Sequence, residues 1–369
     1  MKKNLLCAAI LLSLLVGLTA CGGQTETMTS PLNTPAGQEA EKTPETVTIL
    51  DGTGREVEIV APLTRVAVVN RYDLELLRAC GQIVKVVGVD DSIIENAVYW
   101  PEFAPENSFG DGNELNYEAI AELEPQALIT PFVTDDLVAA MEPFGIPVVG
   151  LVGYNVELNG QIDVIESLFG PSEDSASLRA FFNEVNDTVA AIAAAIPEAE
   201  RKSAVWESIK DYSVARSGND WGKMIERAGG VNAFADAAFD NTEIDAESFI
   251  VANPDYLFKM VAGTGLDLSG YTPPSEEDYL AAQAAYLARP GFQELSAVHD
   301  GNVRFVTSFA MGGMGKLIGT AYIAKWLYPD RFETLDPDAV FGRWLEEFQH
   351  ISFTEGQSWR VGDHINGNG

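Results

Sequence analysis

The chain has 369 residues, with 55 acidic against 23 basic side chains, a formal charge of −32, 46% apolar residues and 9% aromatic ones. That apolar content supports a folded core and excludes wholesale disorder, and the length fits about two domains of ~150 residues. So acidic a chain is unsuited to gripping DNA or RNA or to electrostatic adhesion to anionic lipid, and three cysteines with three histidines exclude a disulfide framework and leave little for a histidine-rich metal centre.

In chain order, Lys2 and Lys3 precede an apolar run from Leu5 to Leu18, the physical pattern of an export signal and short for a permanent span. The run ends in Leu18-Thr19-Ala20-Cys21, which resembles the lipobox of bacterial lipoproteins. That resemblance implies a signal peptide over 1–20, a lipidated Cys21 and a protein held at the extracytoplasmic face of the cell membrane, since paired acyl chains make a stable anchor. Residues 22–46 contain almost no core-forming side chains, so 21–46 is expected to be a flexible tether. Cys80 sits in DLELLRACG at helical spacing from Leu76 and Leu77, which suits a buried, inert thiol.

The body opens with Val47–Leu50 and Glu56–Val60 around Asp51-Gly52-Thr53-Gly54, a hairpin signal. Short apolar runs at 66–70, 84–89, 127–132 and 147–152 then read as strands. Helices are predicted over 73–80, 116–123 and 136–144, with a long loop after residue 89. This alternation indicates an α/β lobe over 47–171 with a mostly parallel sheet. From Ser172 to Ile196, Leu178, Phe181, Phe182, Val185, Val189 and Ile192 recur at helical spacing without Gly or Pro, and Pro197 stops the run. A helix of ~24 residues within 172–197 would be ~36 Å long, enough to traverse a lobe.

Alternation resumes over 198–353, with strands at 203–209, 255–261 and 302–308 and helices at 220–228, 314–327 and 337–349, followed by a polar tail over 354–369. The fold class is therefore α/β, two Rossmann-like lobes with mostly parallel sheets joined by one long interlobe helix. A short repeat links the lobes: Glu118 precedes Pro125 and the strand Ala127-Leu128-Ile129, and Glu247 precedes Pro254 and Tyr256-Leu257-Phe258 at the same interval.

The lipobox, VTILDGTGREVEIV, GDGNELNYEAIAELEPQALIT, the interlobe helix, MIERAGGVNAF, DAESFIVANPDYLF and LARPGFQELSAVHDGNVRFV together resemble the substrate-binding lipoproteins of ABC importers for ferric siderophores, haem and cobalamin, over roughly residues 47–350. The resemblance rests on order and spacing, since no single motif is specific. It implies a non-enzymatic binding protein that delivers its ligand to an ABC permease dimer with its ATPase, and a protein that docks in this way is most simply a monomer. It also implies one docking glutamate per lobe, which the motifs place at Glu118 and Glu247. A helical backbone between lobes implies limited opening and closing.

Small molecules in such folds bind where loops at strand ends face each other. Candidates from the first lobe are Arg71, Tyr72, Tyr99, Trp100, Phe132 and Tyr154. The second lobe supplies Trp206, Tyr212, Arg216, Trp221, Lys259, Met311, Met314 and Lys316. Aromatic faces with a few cations suit a large conjugated or anionic chelate. A ferric chelate is the first expectation; haem and cobalamin are the alternatives, with a methionine or tyrosine as a haem ligand, and a lipid-anchored sensor is a further one. Bare-metal capture is disfavoured because His299, His350 and His364 all fall late in the chain.

Enzymatic motifs are wanting. Gly312-Gly313-Met314-Gly315-Lys316 lacks the first glycine of a phosphate loop, replaced by Ala310, and the Mg²⁺-binding hydroxyl, replaced by Leu317. No GxSxG or HExxH occurs, and acid pairs such as Asp90-Asp91 read as solvated turns or helix starts. The chain is expected to need no cofactor and no metal of its own.

Overall fold

A computed structural model describes residues 44–238, 242–261, 276–306 and 313–352. The signal segment, Cys21, the tether up to residue 43, Met311 and the polar tail lie outside the described residues. Strands β1 (Glu45–Leu50) and β2 (Glu56–Ala61) pair antiparallel, and β1 begins two residues before the expected hairpin strand. Asp51 sets the turn: its Oδ1 accepts the Thr53 and Arg55 amides, both at 2.9 Å, and its Oδ2 accepts the Gly150 amide at 2.9 Å. One carboxylate thus shapes the hairpin and pins it to the neighbouring sheet.

That sheet is four-stranded and parallel in the order β4-β3-β5-β6, from β3 (Val66–Val68), β4 (Val86–Val89), β5 (Ala127–Thr130) and β6 (Val148–Gly150). Every residue of β3 and β5 is buried, as expected where helices cover both faces. The helices of this lobe are α1 (Arg71–Ala79), α2 (Asp91–Glu95), α3 (Tyr117–Glu122), α4 (Asp135–Met141) and α5 (Asn159–Phe169). Three expectations shift here. Helix α1 starts at Arg71 because Asn70 Oδ1 caps the Tyr72 amide at 2.9 Å. The expected long loop after β4 contains α2, capped by Asp90. Helix α5 went unread because Asn159-Gly160 looks like a turn and no side chain caps its start.

The long helix α6 (Glu173–Ala194) follows, with Ser172 and Ser175 capping reciprocally. It buries Leu178, Phe181, Phe182, Val185, Val189 and Ala193. Phe181 stacks on Phe348, centroids 5.0 Å apart. Helices α1 and α5 pack on it from one lobe, and α7 (Asp220–Arg227) and α11 (Met314–Leu327) pack on it from the other.

The second sheet runs β10-β8-β7-β11-β12, with β9 also pairing β7. Its strands are β7 (Ser203–Glu207), β8 (Ser213–Val214), β9 (Val231–Asn232), β10 (Thr242–Glu243), β11 (Tyr256–Met260) and β12 (Val303–Val306). Strands β7, β9, β11 and β12 are mutually parallel; β8 and β10 add short antiparallel pairs. Helices α8 (Ala246–Ala252), α9 (Glu276–Leu287), α10 (Ser296–His299) and α12 (Pro337–Arg343), the last extended by a π-helical turn at Trp344–Phe348, complete the lobe. The two lobes share a plan. The run β3-α1-β4, α3-β5, β6 corresponds to β7-α7-β9, α8-β11, β12, the main difference being the β8 hairpin inserted after β7.

Because Phe181 is buried on the helix against which elements of both lobes pack, Phe181→Ala should cost about 3–5 kcal/mol of unfolding free energy, read from the denaturant midpoint. A loss below about 1 kcal/mol would show that α6 is not a shared core.

Candidate functional site

At the C-terminal ends of β3, β4 and β5, the chain encloses a cavity of about 510 Å³. Its wall includes Asn70, Arg71, Tyr72, Asp90, Asp91, Ser92, Glu95, Asp111, Asn113 and Phe132. The topology explains this: in a parallel sheet the loops leaving the carboxyl ends of neighbouring strands gather on one edge. The Arg71 guanidinium lies 4.7 Å from the Tyr72 ring centroid and donates to its hydroxyl at 2.7 Å. Burial raises the Tyr72 phenol above its usual pKa, against the opposing pull of Arg71, so it stays protonated. Phe132 is 60% exposed, and an adjoining cavity of about 470 Å³ shares Val69, Gly112, Asn113 and Phe132 with the first.

Phe132 stacks on Tyr154, which follows β6, with centroids 6.3 Å apart and planes at 27°. Tyr154 meets the second lobe. Its carbonyl accepts the Lys316 ammonium at 2.6 Å, and the same ammonium bonds Asp220 Oδ2 at 2.9 Å. Burial pulls the Lys316 pKa down, partly offset by Asp220. For Asp220 burial acts upward, but Lys316 and Lys223 overcome it and hold the carboxyl below its usual range. Beneath this seam Asp73 Oδ1 accepts the Gly153 amide at 2.7 Å. A Cβ at Gly153 would lie 2.5 Å from the Tyr72 carbonyl oxygen, so only glycine fits. Asp73 is fully buried, its Oδ2 has no hydrogen-bond partner among the described residues, and burial raises its pKa well above the usual carboxylate range.

The family model for periplasmic binding proteins matches residues 66–309, well over half of the chain. The chain belongs to this family. Its members deliver small-molecule ligands to ABC transporters, so this is an extracytoplasmic solute-binding protein and not an enzyme. The molybdate-binding protein MolA of Haemophilus influenzae is 22% identical over 338 residues, covering 83% of this chain and 91% of that protein. Among solved structures, the TroA-like periplasmic binding protein FepB from Veillonella parvula has a TM-score of 0.70 at 21% identity, covering 84% of this chain and 97% of that one. A periplasmic heme-binding protein from Pseudomonas aeruginosa has a TM-score of 0.55 at 20% identity, covering 73% and 94%. At these identities the structural likeness is one of fold.

In this periplasmic binding protein Arg71, Tyr72 and Phe132 line the strand-end cavity, with Tyr154 behind Phe132. Arg216 and Trp221 are half-buried in the second lobe, and Trp221 stacks on Trp206, with centroids 6.3 Å apart. Several expected cleft residues are instead internal. Tyr99 and Trp100 (1% exposed) belong to the core because they pack edge-on against each other and against Arg78, which sits 4.1 Å from the Trp100 ring and donates to the Tyr99 carbonyl. Trp206 is wholly buried within β7, and Met314 is buried at the start of α11. Tyr212 packs edge-on against Phe249 and Phe292, its amide held by Glu207 at 2.7 Å. Lys259 is buried because Glu207, at the end of β7, needs cations: Lys259 Nζ reaches it at 3.1 Å, Arg289 at 2.8 Å, and the Tyr286 hydroxyl donates at 2.8 Å. Lys316 is only 3% exposed, inside the seam and not in the wall of the strand-end cavity.

Sequence reasoning passed over Asp73 and the cavity carboxylates. Asp90-Asp91 looks like a helix start, and it is one: Asp90 caps α2 while also walling the cavity. Among the described residues no group of three His, Cys, Asp or Glu side chains is arranged to hold a metal, and no helix is long and apolar enough to cross a membrane. Glu118 and Glu247 are both exposed and occupy the same place, two residues after the side-chain caps Asn116 and Asp245 of short helices leading into β5 and β11.

The folded state holds the Asp73 proton more tightly than the unfolded chain does. Its contribution to stability is therefore fully present at low pH and is lost as pH rises from the ordinary carboxylate value near 4 through the raised folded value. Asp73→Asn keeps an acceptor for Gly153 and removes the charge. It should be at least as stable as the parent at pH 7 and should flatten the decline above pH 4 in urea midpoints measured against pH. A variant less stable than the parent at pH 7 would contradict this.

Proposed function

We propose that this protein captures an iron chelate, a ferric siderophore, in the interlobe cleft, with the strand-end cavity of the first lobe as its wall, and delivers it to a cognate ABC permease dimer with its ATPase. The reading rests on one observation: a cavity of about 510 Å³ walled by aromatic and hydrogen-bonding groups and by carboxylates. That size suits a small organic molecule. A chelate wraps its metal in an organic shell whose faces can stack on Tyr72 and on the exposed Phe132. A bare oxyanion such as molybdate would instead meet Asp90, Asp91, Glu95 and Asp111, which repel it. Haem or cobalamin is the second reading, favoured by the flat, open face of Phe132.

The rest of the assignment follows the same reading. Residues 1–20 serve as a signal peptide, Cys21 carries the lipid, and the residues between it and β1 tether the body at the extracytoplasmic face. Lobes over 47–171 and 198–353 flank the helix over 172–197, with 354–369 as a polar tail, and the body works as a monomer. Glu118 and Glu247, exposed at equivalent helix starts, make two separated ion pairs with the permease that fix orientation as well as contact. A first-turn carboxylate also suits its own helix dipole, which accounts for the residue type but not for its recurrence in both lobes.

Tryptophan fluorescence of the purified protein, titrated with ferric siderophores, haem, cobalamin and molybdate, tests the proposal. Saturable quenching by a ferric siderophore at roughly micromolar concentration or below is expected. Saturation by molybdate with no response to any chelate would refute it. The double variant Glu118→Arg, Glu247→Arg should bind the same ligand with unchanged affinity and fail to support uptake in cells; normal uptake would remove the docking assignment.

A further inference from the structure

The segment between β6 and α5, residues 151–158, has no regular secondary structure and is held from both lobes. From its own lobe, Asp73 Oδ1 accepts the Gly153 amide at 2.7 Å and Gln161 Oε1 accepts the Val152 amide at 2.7 Å. From the second lobe, Lys316 donates to the Tyr154 carbonyl at 2.6 Å, and Arg227 pairs with Glu157. The Lys316 ammonium also stands 5.3 Å from the Tyr154 ring centroid, whose neighbour in the stack is Phe132. Phe132 walls the cavity; Lys316, only 3% exposed, does not.

We infer that Lys316 is a positioning residue that, from the second lobe, fixes the Tyr154–Phe132 aromatic pair against which ligand packs in the first. A carbonyl bonded by an ammonium is held more firmly than one bonded by a neutral donor or by water. Asp220 holds the ammonium in turn, itself bonded at 3.2 Å by Lys223. The chain of contacts runs Asp220, Lys316, Tyr154, Phe132, so the second lobe sets the shape of a cavity formed by first-lobe residues. The ligand half of this inference rests on the function proposed above; the positioning half does not.

Two readouts test it on Lys316→Met and Lys316→Arg. The first is amide hydrogen exchange in the ligand-free protein. Lys316→Met should speed exchange across residues 152–158 while leaving β5 and β11 as protected as in the parent, and Lys316→Arg should restore most of the protection. The second is a double-mutant cycle with Phe132→Ala, read as the dissociation constant for the ferric siderophore that the parent binds. Lys316→Met should weaken binding about tenfold, and the Phe132→Ala, Lys316→Met double variant should bind no more weakly than Phe132→Ala alone, because the lysine acts through the ring. Unchanged exchange at 152–158, or losses that add, would overturn the inference. If the parent binds no ferric siderophore, the proposed function fails while the exchange result still decides the positioning role. Should Lys316→Met not fold, Asp220→Asn, which loosens the ammonium without removing it, carries the same readouts with the same expected directions.

Discussion

The structure depends on one helix being shared. Helix α6 buries Leu178, Phe181, Phe182, Val185, Val189 and Ala193, and the helices that cover this face come from both lobes. Ordinary two-lobed binding proteins joined by slender strands can bend at the joint. Here bending would pull α1 and α5, or α7 and α11, off a buried apolar stripe, and exposing such side chains costs about 1.5–3 kcal/mol each. The seam adds polar ties where Lys316 and Arg227 reach the 151–158 segment. On the function proposed above, a ligand would meet a cleft whose width is set by the fold, and its recognition would rest on a preformed wall more than on closure.

That wall is unusual for a chain expected to use cations. Lys259 is consumed by Glu207 and Asp211 inside the second lobe, and Lys316 by Asp220 and a backbone carbonyl. The cavity keeps Arg71, laid against Tyr72, beside four carboxylates. The chemistry left for the ligand is aromatic contact, hydrogen bonding and a largely negative rim, which favours an organic surface with donors over a naked anion. The buried Glu207 cluster, with Arg289 and Tyr286, is an internal cross-link that anchors the β7–β8 hairpin to α9 and the following turn.

Much of this was legible in the amino-acid order, and the failures have physical causes. Helix α11 matches its predicted span at both ends, and α6 falls within its own, because Gly, Pro and Ser punctuate strongly periodic runs. The repeat read from two glutamates and two prolines extends through strand order in both lobes. Strands β8, β9 and β10, two residues each, are too short to leave a pattern. Arg71, Tyr72 and Phe132 line the strand-end cavity because position after a strand end is itself the signal for such a place. Tyr99 and Trp100 misled because an aromatic pair in a loop looks available until the buried Arg78 is found packed against both rings. Lys259 misled for want of weight given to Glu207, a carboxylate in an otherwise apolar strand, which announces a buried cation nearby.

The account turns on a body whose two sheets are locked by a common helix. Small-angle X-ray scattering of the protein with and without a saturating ligand measures this most directly. Superimposable curves with one radius of gyration are predicted. A compaction of several ångströms on binding would mean that the lobes swing independently of α6 and would contradict the account.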